Sequence, residues 1–125
     1  MASHLGSAID EVRDILVDLA RKKQTIFYGE LCAQVKSEKL IANGSRLAAL
    51  LTEISRQEHV AGRPLLSVLV VNKRQRIPSA PFFLRAREIC GARIARTEDF
   101  FLSECDAVFG AWGAPRNFFP QGRRR

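Results

Sequence analysis

The chain has 125 residues, 46% of them hydrophobic and 26% charged, with 20 Lys+Arg against 13 Asp+Glu and a net charge of +7. That is the composition of one globular domain, and it excludes wholesale disorder. No apolar run reaches the roughly 20 residues of a membrane-spanning helix, and Met1–Gly6 lacks the basic start and apolar stretch of a secretory signal.

A first helix is predicted from Ser7, where Ser7-Ala8-Ile9-Asp10 approximates a capping box. Ile9, Val12, Ile15, Leu16 and Leu19 form its apolar stripe. Asp10, Glu11 and Asp14 near its start and Arg21, Lys22 and Lys23 near its end suit the macrodipole. Thr25–Tyr28 is a short β-prone run, and Glu30–Lys36 a short helix with Leu31, Cys32 and Val35 inward. Ser37–Gly44 is a polar connection. A third helix follows, capped by Asn43 or Ser45, with Leu47, Leu50, Leu51 and Ile54 as its stripe and Gly62 closing it.

Leu65–Val71 is almost continuously apolar and rich in β-branched residues, the pattern of a strand buried on both faces. Asn72–Arg76 is a basic turn, and Ile77–Pro81 is extended because each residue before a proline avoids the α region. Pro81 suits the first turn of a helix that runs to Cys90 and ends at Gly91. Thr97 caps a last helix with Phe101, Cys105, Val108 and Trp112 on one face and Glu98 and Asp99 in its first turn. Residues 7–112 are thus expected to form one domain, and residues 113–125 a basic irregular tail. Phe118 and Phe119 in that tail would pack back on the domain or anchor a partner.

Helix, short strand, short helix, longer helix, strand and basic turn is the order of a winged helix. The expected fold class is therefore α+β: a winged helix-turn-helix-like domain with two additional C-terminal helices. Thr25-Ile26-Phe27-Tyr28-Gly29-Glu30-Leu31-Cys32 resembles the Thr-x-x-Tyr-Gly-Glu-Leu-Ala segment that opens the helix-turn-helix of alkylguanine-DNA alkyltransferases and alkyltransferase-like proteins. Thr25, Tyr28, Gly29, Glu30 and Leu31 match, and the likeness extends over about residues 24–72. It implies a DNA-binding architecture. It does not imply alkyl transfer, because Leu65–Val71 stands where that family carries Pro-Cys-His-Arg. Arg46 opens the third helix, but its flanks do not assign it as that family's arginine finger.

The three cysteines, Cys32, Cys90 and Cys105, are too widely spaced for a zinc knuckle and read as buried reduced thiols. With the missing signal sequence, they suggest a soluble cytoplasmic protein. No glycine-rich phosphate loop or metal-ligand pattern is visible. His59 follows Glu58, but no nucleophile or second acid is spaced to join them, and His4 lies in a terminus expected to fray. The expectation is therefore a protein that is not an enzyme and uses no cofactor or metal.

Charge carries the functional signal. Residues 1–62 hold 8 basic and 8 acidic side chains, whereas residues 63–125 hold 12 and 5. Arg63, Lys73, Arg74, Arg76, Arg85 and Arg87 fall in one stretch without an acid. That asymmetry points to an anionic partner, most simply nucleic acid. On the third helix Arg46, Arg56 and Gln57 are available for phosphates or base edges, although Glu53 sits among them. The leading expectation is noncatalytic binding of nucleic acid, duplex DNA in the first instance, through the third helix and the basic wing. The alternative is an adaptor or inhibitor that uses a repurposed winged helix against an acidic protein. No membrane partner is expected.

Overall fold

The computed structural model describes residues 7–91 and 93–113. In chain order they form α1 (Ser7–Lys22), β1 (Ile26–Phe27), α2 (Tyr28–Gln34), α3 (Ser45–Val60), a 3-10 helix (Leu66–Leu69), β2 (Val70–Val71), α4 (Ala80–Cys90) and α5 (Thr97–Gly113). The architecture is mostly helical α+β, with one two-stranded sheet among the described residues. Two helices follow the sheet, as expected. Gly113 belongs to α5; the remaining tail, with Phe118, Phe119 and the terminal arginines, lies outside the described residues, as do His4 and the Ser7 side chain.

α1 buries Ala8, Val12, Leu16 and Ala20 at intervals of four, with Ile9, Ile15 and Leu19 partly buried beside them. It closes with paired bonds from Lys23 N–H to Ala20 C=O (3.1 Å) and from Gln24 N–H to Leu19 C=O (2.9 Å). These are the two bonds of a Schellman cap, and they place Lys23 at φ 59°. α3 ends the same way through Gly62 N–H to His59 and Arg63 N–H to Glu58, with Gly62 at φ 80° as its position predicts.

α2 starts two residues earlier than its sequence pattern suggests, because the Glu30 carboxylate accepts the Phe27 N–H (3.1 Å) and so fixes the first turn. Phe27 has no acceptor to offer in return, so only the glutamate half of a capping box forms. Leu31 and Val35 are buried and Cys32 is half-buried. Glu11 of α1 accepts the Lys36 and Ser37 N–H groups at 2.7 and 2.9 Å, which holds the end of α2 against α1.

α3 is capped by neither Asn43 nor Ser45. Its N-cap is Gly44, without a side-chain bond. Glycine suits that position, because a Cβ there would lie 3.3 Å from both Cβ and O of Ile41. The expected stripe of Leu47, Leu50, Leu51 and Ile54 is buried.

Leu65–Val71 is buried throughout, yet it is not one strand. Only Val70 and Val71 form a strand, pairing in parallel with Ile26 and Phe27. Leu66–Leu69 instead turns on itself, with Val68 N–H donating to Leu65 C=O at 3.1 Å. A strand enclosed by helices needs neighbours to take its backbone groups. Here β1 supplies two residues, so the preceding four satisfy themselves in 3-10 geometry. The 3-10 helix packs against α1, α3 and α5.

α4 has Pro81 in its first turn and ends on Gly91 at φ 65°. Phe82, Phe83 and Phe100 form an aromatic cluster with centroids 5.1–6.3 Å apart, which fastens α4 to the start of α5. α5 begins at Thr97, but Phe100 N–H donates to Arg96 C=O, so Arg96 and not Thr97 holds the cap position. Cys105 and Val108 are buried, Phe101 and Trp112 partly so, and α5 lies along α1. No helix among the described residues is long and apolar enough to cross a membrane.

Candidate functional site

Asn72 builds the basic turn. Its N–H donates to Ile77 C=O (2.8 Å), its C=O accepts from Arg76 (2.9 Å), and its side-chain oxygen accepts the Gln75 N–H (2.6 Å). The first bond closes the loop in the way a hairpin rung would, but no second strand among the described residues pairs beyond it. Arg76 sits at φ 62° and its guanidinium lies 5.7 Å from the centroid of the Phe27 ring. That cation–π contact ties the turn to β1. Lys73 and Arg74 are exposed, and neither has an acidic partner within ion-pair distance among the described residues.

The other candidates are differently placed. On α3, Arg46 makes a two-pronged contact with Glu38 at 2.6 and 3.0 Å, and its hydrogen bond holds the Glu38 carboxyl below the usual range. Arg56 pairs with Glu53 at 3.0 Å. Gln57 bonds to Glu53 and accepts from Arg13. Arg85 reaches Glu88 at 3.3 Å on the surface of α4. Arg87 donates to Ile94 C=O at 3.1 Å and so serves the α4–α5 connection.

Arg63 belongs to a third environment. It donates to both oxygens of Glu58 (2.7 and 3.1 Å) and stacks 5.2 Å from the Trp112 ring centroid. Arg13 of α1 approaches the same carboxylate. Burial raises the pKa of Glu58, but hydrogen bonds from Arg63 and Arg13 outweigh it and hold the carboxyl below its ordinary value. Glu58 is therefore committed to two arginines, while His59 beside it is exposed, and the two make no acid–base pair. The sequence carried no sign of this junction, because Arg13 and Glu58 are 45 residues apart.

A cleft of about 1250 Å³ opens between the α2–α3 unit and α4. Leu47, Ala48, Leu51, Phe82, Ala86 and Ile89 line it, and Lys73 and Arg85 stand among its lining residues. Across it, Ser79 N–H donates to the Tyr28 hydroxyl at 3.0 Å, so Tyr28 serves as a strut. Ser55 and Ser67, both buried, share a hydroxyl hydrogen bond.

The cysteines are free, and burial raises the thiol pKa of all three. Cys105 reaches about 12, with Asp106 and Glu104 adding to the effect of burial. Among the described residues no group of three or more His, Cys, Asp or Glu side chains is arranged to hold a metal ion.

No family model, curated protein or solved structure matches the chain.

Proposed function

We propose that this is a noncatalytic, winged-helix-like domain that binds nucleic acid, with duplex DNA as the preferred partner. Support comes from the order of α2, α3 and the turn, and above all from the turn itself. Asn72 closes it with three hydrogen bonds, and it presents Lys73 and Arg74, which have no acidic partner among the described residues. A fixed loop with free cations loses little entropy on meeting phosphates and releases counterions when it does. Arg76 extends the patch, and Arg85 joins it only by leaving Glu88. Arg46 and Arg56 on α3 are secondary contacts, since each must exchange a carboxylate for a phosphate. Arg63, Gln57 and Arg87 have structural partners and contribute less.

Gel-shift titration of the chain with a random 20-base-pair duplex and an RNA of the same length, at two salt concentrations, tests this. The expected outcome is retention of the duplex, with an affinity that falls by about 0.9 in log–log slope per phosphate contact. Failure to retain either nucleic acid at the lower salt would remove the reading. A protein-interaction module is the second reading, and the apolar cleft favours it.

A further inference from the structure

We propose that the cleft between α3 and α4 is a docking groove for an acidic amphipathic helix of a partner protein. Size is the first argument. A helix about 10–12 Å across gains about 11 Å in two turns, a cylinder of roughly 1000 Å³. The cleft offers about 1250 Å³, and its rim residues Ala33 and Ala48 face solvent. Small-molecule sites enclose most of their ligand in about 300–1000 Å³, and this cleft is larger than that.

The lining supplies the second argument. Ala33 and Ala48 leave room for a helix backbone to approach, while Phe82 and Ile89 offer bulk for its apolar side chains to pack on. Ala33 and Ala48 are exposed, so nothing among the described residues covers them.

Charge selects the occupant. Lys73 and Arg85 line the groove, Arg85 with Glu88 beside it at 3.3 Å, and the one carboxylate among the described lining residues, Glu30, is engaged by the Phe27 N–H. The partner must therefore bring acids beside its apolar stripe. The chain's own residues 114–125 carry four arginines and no acid, and a second copy would bring a net charge of +7; both have the wrong sign. Lys73 also belongs to the basic turn, so an acidic helix seated here would compete with phosphate for it. The docking proposal itself does not rest on the nucleic-acid reading.

The probe is a labelled 15-residue peptide with leucines at i, i+3, i+4 and i+7 and glutamates flanking them. Its controls are a twin with each glutamate replaced by lysine and a scrambled sequence. Fluorescence anisotropy with the full chain should show the acidic helix binding at least tenfold more tightly than either control. Ala48→Trp and, separately, Ala33→Trp should each weaken it at least tenfold; both positions are exposed, and circular dichroism verifies the fold of each variant. Lys73→Glu combined with Arg85→Glu should invert the preference toward the lysine twin. Equal binding of the acidic helix and its scramble would overturn the proposal, as would indifference to a folded tryptophan variant. If the tryptophan variants instead lose duplex DNA and the peptide never binds, the cleft belongs to nucleic acid and the proposal fails. Peptide binding by a chain that retains no duplex would sink only the nucleic-acid reading.

Discussion

Arg13 of α1 and Glu58 of α3 meet in an ion pair whose carboxylate has no exposed surface. Arg63 completes the arrangement and lies over Trp112, so one acidic group joins α1, α3 and α5. A buried pair is expensive to assemble, but removing one partner strands the other. Glu58→Ala should therefore destabilise the domain by about 3–5 kcal/mol, and Arg63→Ala, at the more exposed partner, by less. Chemical denaturation of the two variants checks the order.

The same carboxyl sets an acid limit. Its folded pKa lies below its ordinary value of 4.5. Such a group contributes stability above its unfolded pKa and loses that contribution as the pH falls through the folded value. Stability should thus decline below about pH 4.5, and Glu11 and Glu38, both also lowered, act in the same direction. Glu58→Gln should flatten this decline, as thermal melts at stepwise lower pH would show.

Replacing Lys73, Arg74 and Arg76 together by Gln should weaken duplex binding and reduce the log-salt slope by up to about 2.7, at 0.9 for each of three contacts. Stability should change little at Lys73 and Arg74, which are exposed and make no ion pair among the described residues. Unchanged affinity and slope would reject the turn as the contact.

Val68 has no exposed surface and sits in the 3-10 helix amid three long helices. Val68→Asp should cost several kcal/mol, about what an unpaired buried charge demands. Arg56→Ala, on the solvent side of α3, should stay within about 0.5 kcal/mol. Circular dichroism with sedimentation checks both; a folded Val68→Asp variant would contradict the core assignment.

Lys23 holds the left-handed position of the α1 cap at φ 59°. A residue with a Cβ pays about 1 kcal/mol there, so Lys23→Gly should raise stability by about that amount and the melting temperature by about 4 °C. Loss of stability would show that the lysine side chain contributes more than its backbone costs.

The thiols should be unreactive. Cys105 is buried, with a pKa near 12. Iodoacetamide near neutral pH should leave it unmodified until the chain is denatured. Intact mass should also stay constant after incubation with O6-methylguanine DNA. A gain of about one methyl group would contradict the noncatalytic reading, because thiolate is the nucleophilic form.

Helices with a periodic stripe were legible in the sequence. The α1, α3 and α5 faces follow from the spacing of Val12, Leu16, Leu47, Leu50, Ile54, Cys105 and Val108. Gly62 and Gly91 fall at left-handed positions that their place after a helix predicts. Leu65–Val71 was legible as buried but not as a 3-10 helix, because an apolar run reports enclosure and carries no information about which neighbours take its backbone bonds. Of the candidate site, the turn and its cations were readable from Asn72–Arg76. The cleft and the Arg13–Glu58 junction were not, since both arise from residues brought together only by tertiary packing.

The packing of α5 along α1 has a consequence for synthesis. About 75 residues separate the end of α1 from the start of α5, which at roughly 5–20 residues per second is a delay of about 4–15 s. Through that interval the part of the α1 stripe that meets Cys105 and Val108 has no cover from its own chain. A nascent protein of this design thus carries α1 with its α5-facing side bare while α3 and the 3-10 helix are already made, and α5 is the last element to close the core.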